Sequence, residues 1–266
     1  MYDVSRESSR RPSRGRNRGR RGQPQSIWER PPPTSRRPSH TRESIARAAI
    51  EVADRDGFDA LTMRNVAASL GAGTMTLYHY VRTKDELFAL VDNALMGEVV
   101  VPVEELPAGW RDGTREIARR TCDVFLRHPW VAEMPRDFDD GPNSVLHMEQ
   151  SIAVMAQTGL PIAECLELIL LVDDYVFGYI ERFEPILRAV GNDPTSIARE
   201  HAGELEARME RLDPETFPYV RQVFSAESPQ RSIARFIALA IDPARFDRGL
   251  ETLLDGIERR VTSAAT

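Results

Sequence analysis

The helical spacing of apolar residues, punctuated by prolines, restricts the fold of this chain more than any other feature. Beyond residue 110, apolar side chains recur every three to four residues through seven segments: 112–127, 143–158, 161–190, 195–211, 214–225, 229–240 and 243–261. A proline stands at or near the start of most of them, where its missing N–H removes no helical hydrogen bond. No stretch shows two alternating segments joined by a hairpin dipeptide. The pattern predicts an all-α chain.

The bulk composition argues against a membrane protein and against a secreted one. No uninterrupted apolar run approaches the roughly 20 residues that span a bilayer, and the N-terminus lacks the apolar segment of a secretory signal. Cys122 and Cys165 are the only cysteines, which fits a reducing cytoplasm and predicts two small buried side chains rather than a disulfide scaffold. We therefore expect a soluble, cytoplasmic protein with no membrane partner.

Arginine is concentrated at the N-terminus. Residues 1–40 hold eleven arginines against Asp3, Glu7 and Glu29, although the net charge of the whole chain is −6. This segment is rich in Ser, Gly and Pro and poor in core-forming residues, which predicts a disordered basic tail. Such a tail either keeps a protein soluble or neutralises phosphates as a basic arm, and the sequence leaves both roles open.

Residues 41–97 form the first candidate domain. A helix with regular apolar spacing is followed by "TMRNVAASL", for which Thr62 is a good N-cap. Farther on, "TKDELFALVDNAL" begins with Thr83 as its cap, and Glu86 stands where a capping box requires it. Prolines in "VVVPVEELPAG" then indicate a connection to a second helical domain, 108–263.

The stretch "GAGTMTLYHYV" at 71–81 is ambiguous. Its period of two and its β-branched and aromatic residues favour a strand. No partner strand is within reach, however, and an isolated strand leaves its backbone groups unpaired. As a helix it would be capped by Thr74, with Leu77 and Val81 facing inward, and Gly71 would end the preceding helix as its C′ residue. This interpretation gives a helix-turn-helix at about 62–81.

The residues of this motif carry a family resemblance. "LTMRNVAASLGAGTMTLYHYVRTKDELFALV" at 61–91, with the helix before it, resembles the DNA-binding domain of the tetracycline-repressor (TetR) family, and "LYHYVRTKDEL" is most similar to the tetracycline-repressor subgroup itself. The resemblance implies a three-helix DNA-binding domain followed by a helical ligand-binding and dimerisation domain. For the second domain the likeness is one of architecture alone.

A recognition helix offers its outward side chains to base edges in the major groove while its neighbours hold phosphates. Threonine methyls and Met75 suit thymine methyls, a hydroxyl or the His79 ring can bond a base or a phosphate, and Arg64 suits guanine. The resemblance implies backbone contacts at the positions of Tyr78, Tyr80 and Lys84, the last being the only lysine of the chain. The candidate DNA-binding residues are Thr62, Arg64, Thr74, Met75, Thr76, Tyr78, His79, Tyr80 and Lys84.

One property of this domain is unexpected for a DNA-binding protein. Residues 41–97 hold six basic and eight acidic side chains, whereas a DNA-binding domain is expected to be basic. The hypothesis is that the arginine-rich tail, which is longer than usual before this motif, supplies much of the non-specific affinity.

Near-palindromic operators are read by two-fold dimers. The resemblance implies a homodimer formed by two long C-terminal helices, for which 161–183 and 243–261 are the candidates. It also implies an effector pocket between helices. His128 and His147 could serve a divalent ion, as in the tetracycline repressors, but nothing has metal-ligand spacing, so we expect no cofactor and no metal. The candidate pocket residues are Trp110, Phe125, His128, Trp130, Phe138, His147, Met155, Asp173, Tyr175 and Phe177. Asp173 and Asp174, within an apolar helix, are equally consistent with a ligand contact, a pair across a dimer or an exposed edge.

The sequence therefore predicts a ligand-responsive repressor that binds double-stranded operator DNA. The alternatives are an activator and a helical small-molecule-binding or interaction protein that does not bind operators. An enzyme is disfavoured, because the chain has no P-loop, dinucleotide fingerprint, "HExxH" or Cys-x-x-Cys motif.

Overall fold

The computed structural model describes residues 26–31, 40–135, 139–190, 194–225, 228–240, 242 and 244–264. Two compact units are distinguished, Met1–Pro31 and Pro32–Thr266. In the first, the backbone N–H groups of Glu29 and Arg30 donate to the Ser26 carbonyl and close a turn. The rest of the predicted tail lies outside the described residues apart from His40. Both domains predicted at 41–97 and 108–263 fall in the second unit, and the boundary between them stays a prediction.

All regular structure within the described ranges is helical, which confirms the all-α fold class. The helices are α1 Arg42–Asp56, α2 Met63–Ser69, α3 Thr74–Tyr78, α4 Lys84–Val99, α5 Trp110–Arg127, α6 Pro142–Ala156, α7 Ile162–Val190, α8 Pro194–Glu210, α9 Pro218–Ser225, α10 Pro229–Ala240 and α11 Ala244–Ala264. Two 3-10 turns, Phe58–Ala60 and Pro129–Glu133, follow α1 and α5. The prolines at the starts of α6, α8 and α10 lie where the sequence pattern favours them. The helix expected at 214–225 begins later, at Pro218.

The ambiguous stretch is a helix that packing holds in place. With five residues, α3 is far too short to be stable alone. Leu77 and Val81 are 2% and 0% exposed, and burying each contributes about 1.5–3 kcal/mol. Upstream, Gly71 has φ +66°, its N–H donates to Ala68, and the N–H of Ala72 donates to Ala67. This is the Schellman arrangement, so the predicted C′ role of Gly71 is confirmed.

Two capping predictions in this region were wrong in detail. Thr74 is the first residue of α3, and Gly73 is the N-cap, with no side-chain hydrogen bond. At α4, the Thr83 hydroxyl accepts from the Glu86 N–H at 3.1 Å as predicted. The Glu86 carboxylate, however, accepts from the N–H of Arg82 at 2.7 Å instead of returning to that of Thr83. The Glu86 carboxylate thus holds the backbone of Arg82, the residue before the N-cap Thr83.

A ladder of ion pairs joins α5 to α11. Arg111 lies 2.8 Å from Glu251 and 2.9 Å from Glu258, and Arg119 lies 2.7 Å from Asp247. Arg115 also donates to Glu251. Hydrogen bonding from Arg115, with further bonding from Arg111, lowers the pKa of Glu251 to about 2.

The Glu251→Gln variant is expected to be less stable at pH 7 by about 1 kcal/mol, since the carboxylate is partly exposed and solvent screens the pair. A carboxylate whose folded pKa is lowered stabilises the fold above its unfolded value, near 4.5, and loses that effect as the pH falls toward 2. The difference in free energy of unfolding between wild type and variant, measured by urea unfolding, should therefore become smaller from pH 6 to pH 3. Glu258→Gln, at a more exposed position, is the control, and a gap that is independent of pH would contradict this account.

Candidate nucleic-acid interface and ligand cavity

The outward face of α3 carries the predicted recognition residues. The side chains of Met75 and Tyr78 are 75% and 43% exposed, and His79, just after the helix, is also exposed. Thr74 and Thr76 are half-buried on the same short helix. Because Leu77 anchors the opposite face, these five side chains form one surface that a groove can meet. Whether each contacts DNA stays a prediction.

Lys84 is the first residue of α4, the helix that follows α3 in the chain. Its side chain is exposed, and its ammonium nitrogen lies 5.5 Å and 5.1 Å from the ring centroids of Phe58 and Phe88. The two rings stack at 5.7 Å. Cation–π attraction to both rings favours this position of the charge while leaving it open to solvent. The only lysine of the chain is thus available to an anion.

The other predicted DNA contacts differ in accessibility. Arg64 on α2 is exposed. Thr62 is half-buried, and its hydroxyl accepts from the Asn65 N–H at 3.2 Å, so it caps α2 as expected. Tyr80 is the exception, because its side chain is only 7% exposed. We therefore assign Tyr80 to the core of the motif rather than to its outward surface.

The predicted pocket residues do not come together in one place. A narrow cavity of about 20 Å³ lies between α5, α6 and α7, and of the predicted set only Met155 and Asp173 line it. The remaining lining residues are Thr114, Ile117, Ala118, Thr121, Ser151, Ile169 and Val172. The small polar residues on α5 and α6 were missed by sequence reasoning. The sequence feature that could have indicated this wall is the helical spacing of three small residues on one face of α5, Thr114, Ala118 and Thr121.

Asp173 is the charged group of this cavity. Burial, with a smaller contribution from the neighbouring Asp174, raises the pKa of its carboxyl to about 6. Thr121 donates its hydroxyl hydrogen to the Ile117 carbonyl at 2.8 Å and keeps only acceptor capacity. The cavity therefore combines a carboxyl group, hydroxyl groups and an apolar wall.

A second, open cleft of about 520 Å³ lies between α7 and α11, and it contains Tyr175. The Tyr175 hydroxyl donates to the Phe246 carbonyl at 2.7 Å. Asp174 and three arginines, Arg182, Arg245 and Arg248, also line this cleft. Adjacent aspartates on α7 thus face different spaces, Asp173 the inner cavity and Asp174 the outer cleft.

His128 and Trp130 line neither space and instead join α1 to the segment after α5. The Trp130 indole N–H donates to Asp54 Oδ1 at 2.7 Å, and His128 Nδ1 lies 2.7 Å from the same oxygen. Both side chains are buried, at 7% and 3% exposure. Asp54 on α1 is therefore a direct link between the helix-turn-helix region and the end of α5, and sequence reasoning did not single it out.

The remaining predicted pocket residues are dispersed. Phe125 and Phe177 meet edge to face at 5.3 Å and pack α5 on α7. Trp110 and His147 are half-buried, and burial lowers the pKa of His147. Phe138 lies outside the described residues. Of these aromatic residues, none that the structure describes lines the inner cavity.

A polar clamp connects α4 to α6. The Asn143 backbone N–H donates to the Asn93 side chain at 2.9 Å, and the Asn143 amide donates to the Asn93 carbonyl at 2.8 Å. Farther along α6, the Gln150 side chain both accepts from and donates to the backbone of Val101, at 3.1 Å and 2.7 Å. Ser151 and Met155 of α6 line the cavity. A movement of α6 at the cavity would therefore be transmitted to α4 through the Asn93–Asn143 hydrogen bonds.

The described part of the chain shows neither a membrane-spanning helix nor a cluster of metal ligands. No helix there is long and apolar enough to cross a bilayer. No group of three or more His, Cys, Asp or Glu side chains in those residues could hold a metal ion.

Two family models match this sequence. The model described as "Bacterial regulatory proteins, tetR family" matches residues 45–91. The model "Tetracyclin repressor-like, C-terminal domain" matches residues 102–261, and so extends the resemblance through the second domain.

Curated relatives are transcriptional regulators. The HTH-type transcriptional repressor DrrR1 of Streptomyces coeruleorubidus is 34% identical over 155 residues, which cover 57% of this chain and 57% of the relative. An HTH-type transcriptional regulator of Saccharopolyspora erythraea is 37% identical over 161 residues, which cover 60% of this chain and 68% of the relative. The match to DrrR1 thus spans little more than half of that protein.

Solved structures share the fold. The TetR family protein ActR of Streptomyces coelicolor, in complex with (S)-DNPA, has a TM-score of 0.62 and 26% identity, covering 83% of this chain and 98% of ActR. In complex with actinorhodin, ActR has a TM-score of 0.63 and 27% identity, covering 82% and 94%.

Proposed function

Since this chain belongs to the TetR family of bacterial regulatory proteins, we propose that it is a ligand-responsive transcriptional regulator that acts in the cytoplasm as a dimer on near-palindromic operator DNA. The observation that carries this proposal is the exposed face of α3, which is held on a buried Leu77 within a helix-turn-helix. Its relatives are regulators, several of them repressors, which supports repression over activation and over an enzymatic role.

In this proposal α3 enters the major groove. Met75 and the threonine methyls of α3 contact thymine methyls, while Tyr78 and His79 bond bases or phosphates. Lys84 neutralises a phosphate beside the groove, and Arg64 on α2 contacts a base or a phosphate. The arginine-rich tail adds sequence-independent affinity, which the slightly acidic region 41–97 needs.

The dimer of this proposal forms through α7 and α11. Ile162, Leu166 and Leu170 follow one another at intervals of four along α7, and they are 53%, 40% and 62% exposed. A stripe of exposed large apolar side chains on one helix face is typical of a protein interface. A second copy of α7, packed by two-fold symmetry, would cover the stripe on both protomers.

Effector binding in the inner cavity would act on DNA through two links. The Asp54 contacts join α1 to the end of α5, and the Asn93–Asn143 clamp joins α4 to α6. Both α5 and α6 line the cavity. An effector that favours one arrangement of these helices changes the spacing of the two recognition helices, and by linkage operator DNA weakens effector binding to the same extent.

The experiment that tests the proposal is selection of bound duplexes from a random DNA pool by the full chain. A near-palindromic sequence with half-sites one helical turn apart is the expected product. Failure to enrich any sequence would favour an interaction protein that does not bind operators. Placing the enriched site between a promoter and a reporter then separates repression from activation.

A further inference from the structure

The outer cleft between α7 and α11 has room for a small molecule as it stands. Its volume of about 520 Å³ lies within the range of roughly 300–1,000 Å³ that is usual for ligand sites. The inner cavity, at about 20 Å³, would have to widen before it held more than about one water molecule. Gly178 on α7 lines the outer cleft, and a Cβ atom added there would meet no other atom within 4 Å. A ligand can therefore approach the backbone of α7 at this point.

Positive charge predominates at this cleft, although acidic side chains predominate in the helical part of the chain. Outside the N-terminal tail, the sequence holds 24 Lys and Arg against 38 Asp and Glu residues. The cleft reverses that balance, because its lining includes three arginines and a single carboxylate: Arg182, Arg245, Arg248 and Asp174. Asp242 pairs with Arg248 at 2.7 Å, and one positive charge is still in excess. Arg182 is exposed and has neither a hydrogen bond nor an ion pair among the described residues, so its guanidinium group is available to an anion.

One wall of the cleft is aromatic. Tyr175 and Tyr179 line it, and both rings pack against Phe246, at centroid distances of 5.4 Å and 5.1 Å. The Arg245 guanidinium lies 5.6 Å from the centroid of the Tyr179 ring, where the ring face attracts a cation. Because the Tyr175 hydroxyl donates to the Phe246 carbonyl, Tyr175 offers mainly ring surface to a ligand. The cleft thus combines guanidinium groups with a flat apolar surface.

We propose that this cleft is a second ligand site, separate from the inner cavity, and that it binds a carboxylate attached to a flat aromatic body. Guanidinium groups donate paired hydrogen bonds to a carboxylate, and the cleft receives them from both helices, Arg182 from α7 and Arg248 from α11. The aromatic body lies beside Gly178, against the wall that contains Tyr179. A cationic ligand would be repelled by the arginines, and a neutral one would gain packing alone. The site is built by one protomer and does not depend on DNA.

Three probes of matched shape test the proposal with the full-length wild-type protein. Naphthylacetate, naphthylethanol and naphthylethylammonium share one ring system and differ in charge. Titration calorimetry at pH 7 without DNA should show the acetate binding about tenfold or more tightly than the alcohol, since charge-assisted hydrogen bonds exceed neutral ones, and the ammonium probe binding most weakly. Equal affinities or a preference for the ammonium probe would overturn the proposal. So would a failure to bind the acetate, which is the result expected if a second copy of the chain covers the cleft.

The double variant Arg182→Gln with Arg248→Gln identifies the residues responsible for the charge preference. It should bind the acetate and the alcohol within about threefold of each other, since the charge-assisted bonds are lost. The control is Arg259→Gln with Arg260→Gln, two arginines of α11 outside the cleft, of which Arg260 pairs with a carboxylate as Arg248 does. This control should keep the wild-type preference. An unaltered preference in the first variant would assign the acetate to another site, such as the arginine-rich tail, and overturn the proposal.

The Gly178→Leu variant tests the position of the aromatic body. A leucine side chain there would extend into the cleft, and it favours the helix more than glycine does, so the fold should persist. Affinity for the acetate probe should fall by about tenfold or more, because the space that the ring occupies is filled. Gly203→Leu is the control, since Gly203 on α8 is also exposed and open around its Cβ position but does not line the cleft. Unchanged affinity in Gly178→Leu would overturn the proposal.

Discussion

Replacing Tyr78 and Lys84 together with alanine is expected to weaken binding to the selected operator by at least about a hundredfold, because each protomer of the dimer loses two contacts to DNA worth roughly 1.5 kcal/mol each. Tyr78 is 43% exposed on α3, and the Lys84 side chain at the start of α4 is exposed as well. Neither side chain belongs to the buried core, so the fold should persist. Fluorescence anisotropy with a labelled duplex measures the loss, and far-UV circular dichroism checks the helices.

The matched control changes the same kinds of side chain away from this surface. Tyr219 on α9 is 80% exposed, and Arg231 on α10 is exposed as well. The double variant Tyr219→Ala with Arg231→Ala should bind the operator within about twofold of wild type, as surface changes away from contacts usually have small effects. If the Tyr78 and Lys84 variant keeps its affinity, or loses no more than the control does, α3 is not the recognition helix.

The sequence was sufficient to predict the elements of this fold. Helix positions follow from apolar spacing and from prolines, which are properties of neighbouring residues. The conformation of Gly71 was predictable for the same reason, since a C′ glycine is required by local geometry. Even α3, whose residues favour a strand, was predictable as a helix once pairing partners were sought and not found.

Side-chain environments were less predictable than elements. Tyr80 was expected to contact the DNA backbone, yet it is 7% exposed, because it follows Leu77 by three residues and so lies on the same buried side as Leu77 and Val81. Glu86 reaches Arg82 rather than Thr83, a difference of one residue that propensity does not specify. Such details depend on how the backbone leaves one helix and enters the next.

The ligand cavity was the least predictable part. Large aromatic residues such as Phe125 and Trp130 suggested a pocket, but both are buried in packing contacts. The cavity is instead bounded by small side chains, Thr114, Ala118 and Ser151, whose size leaves the space open. Whether a small residue faces a void or a neighbour depends on three helices at once, and periodicity along one helix does not contain that information. Asp173 was predicted because a charged residue within an apolar helix is already conspicuous in the sequence.

The Leu170→Glu variant is expected to convert the dimer into monomers and to weaken operator binding by at least about a hundredfold. In one protomer Leu170 is 62% exposed, so a glutamate there remains in water and costs the isolated fold little. At a two-fold interface the substitution occurs twice, and burying two unpaired carboxylates costs several kcal/mol, which raises the dimer dissociation constant by roughly a thousandfold or more. A monomer then binds each half-site alone and loses the advantage of a linked second site.

Sedimentation velocity over a range of protein concentrations distinguishes the two states. Val103→Glu is the control, since Val103 is an apolar residue that is 85% exposed and precedes α5 rather than lying on α7. It should stay dimeric and bind the operator as wild type does. The expected result is a folded monomer that binds one half-site weakly, since the exposed stripe on α7 then no longer forms a dimer. A Leu170→Glu protein that remains dimeric at low concentration would place the interface elsewhere.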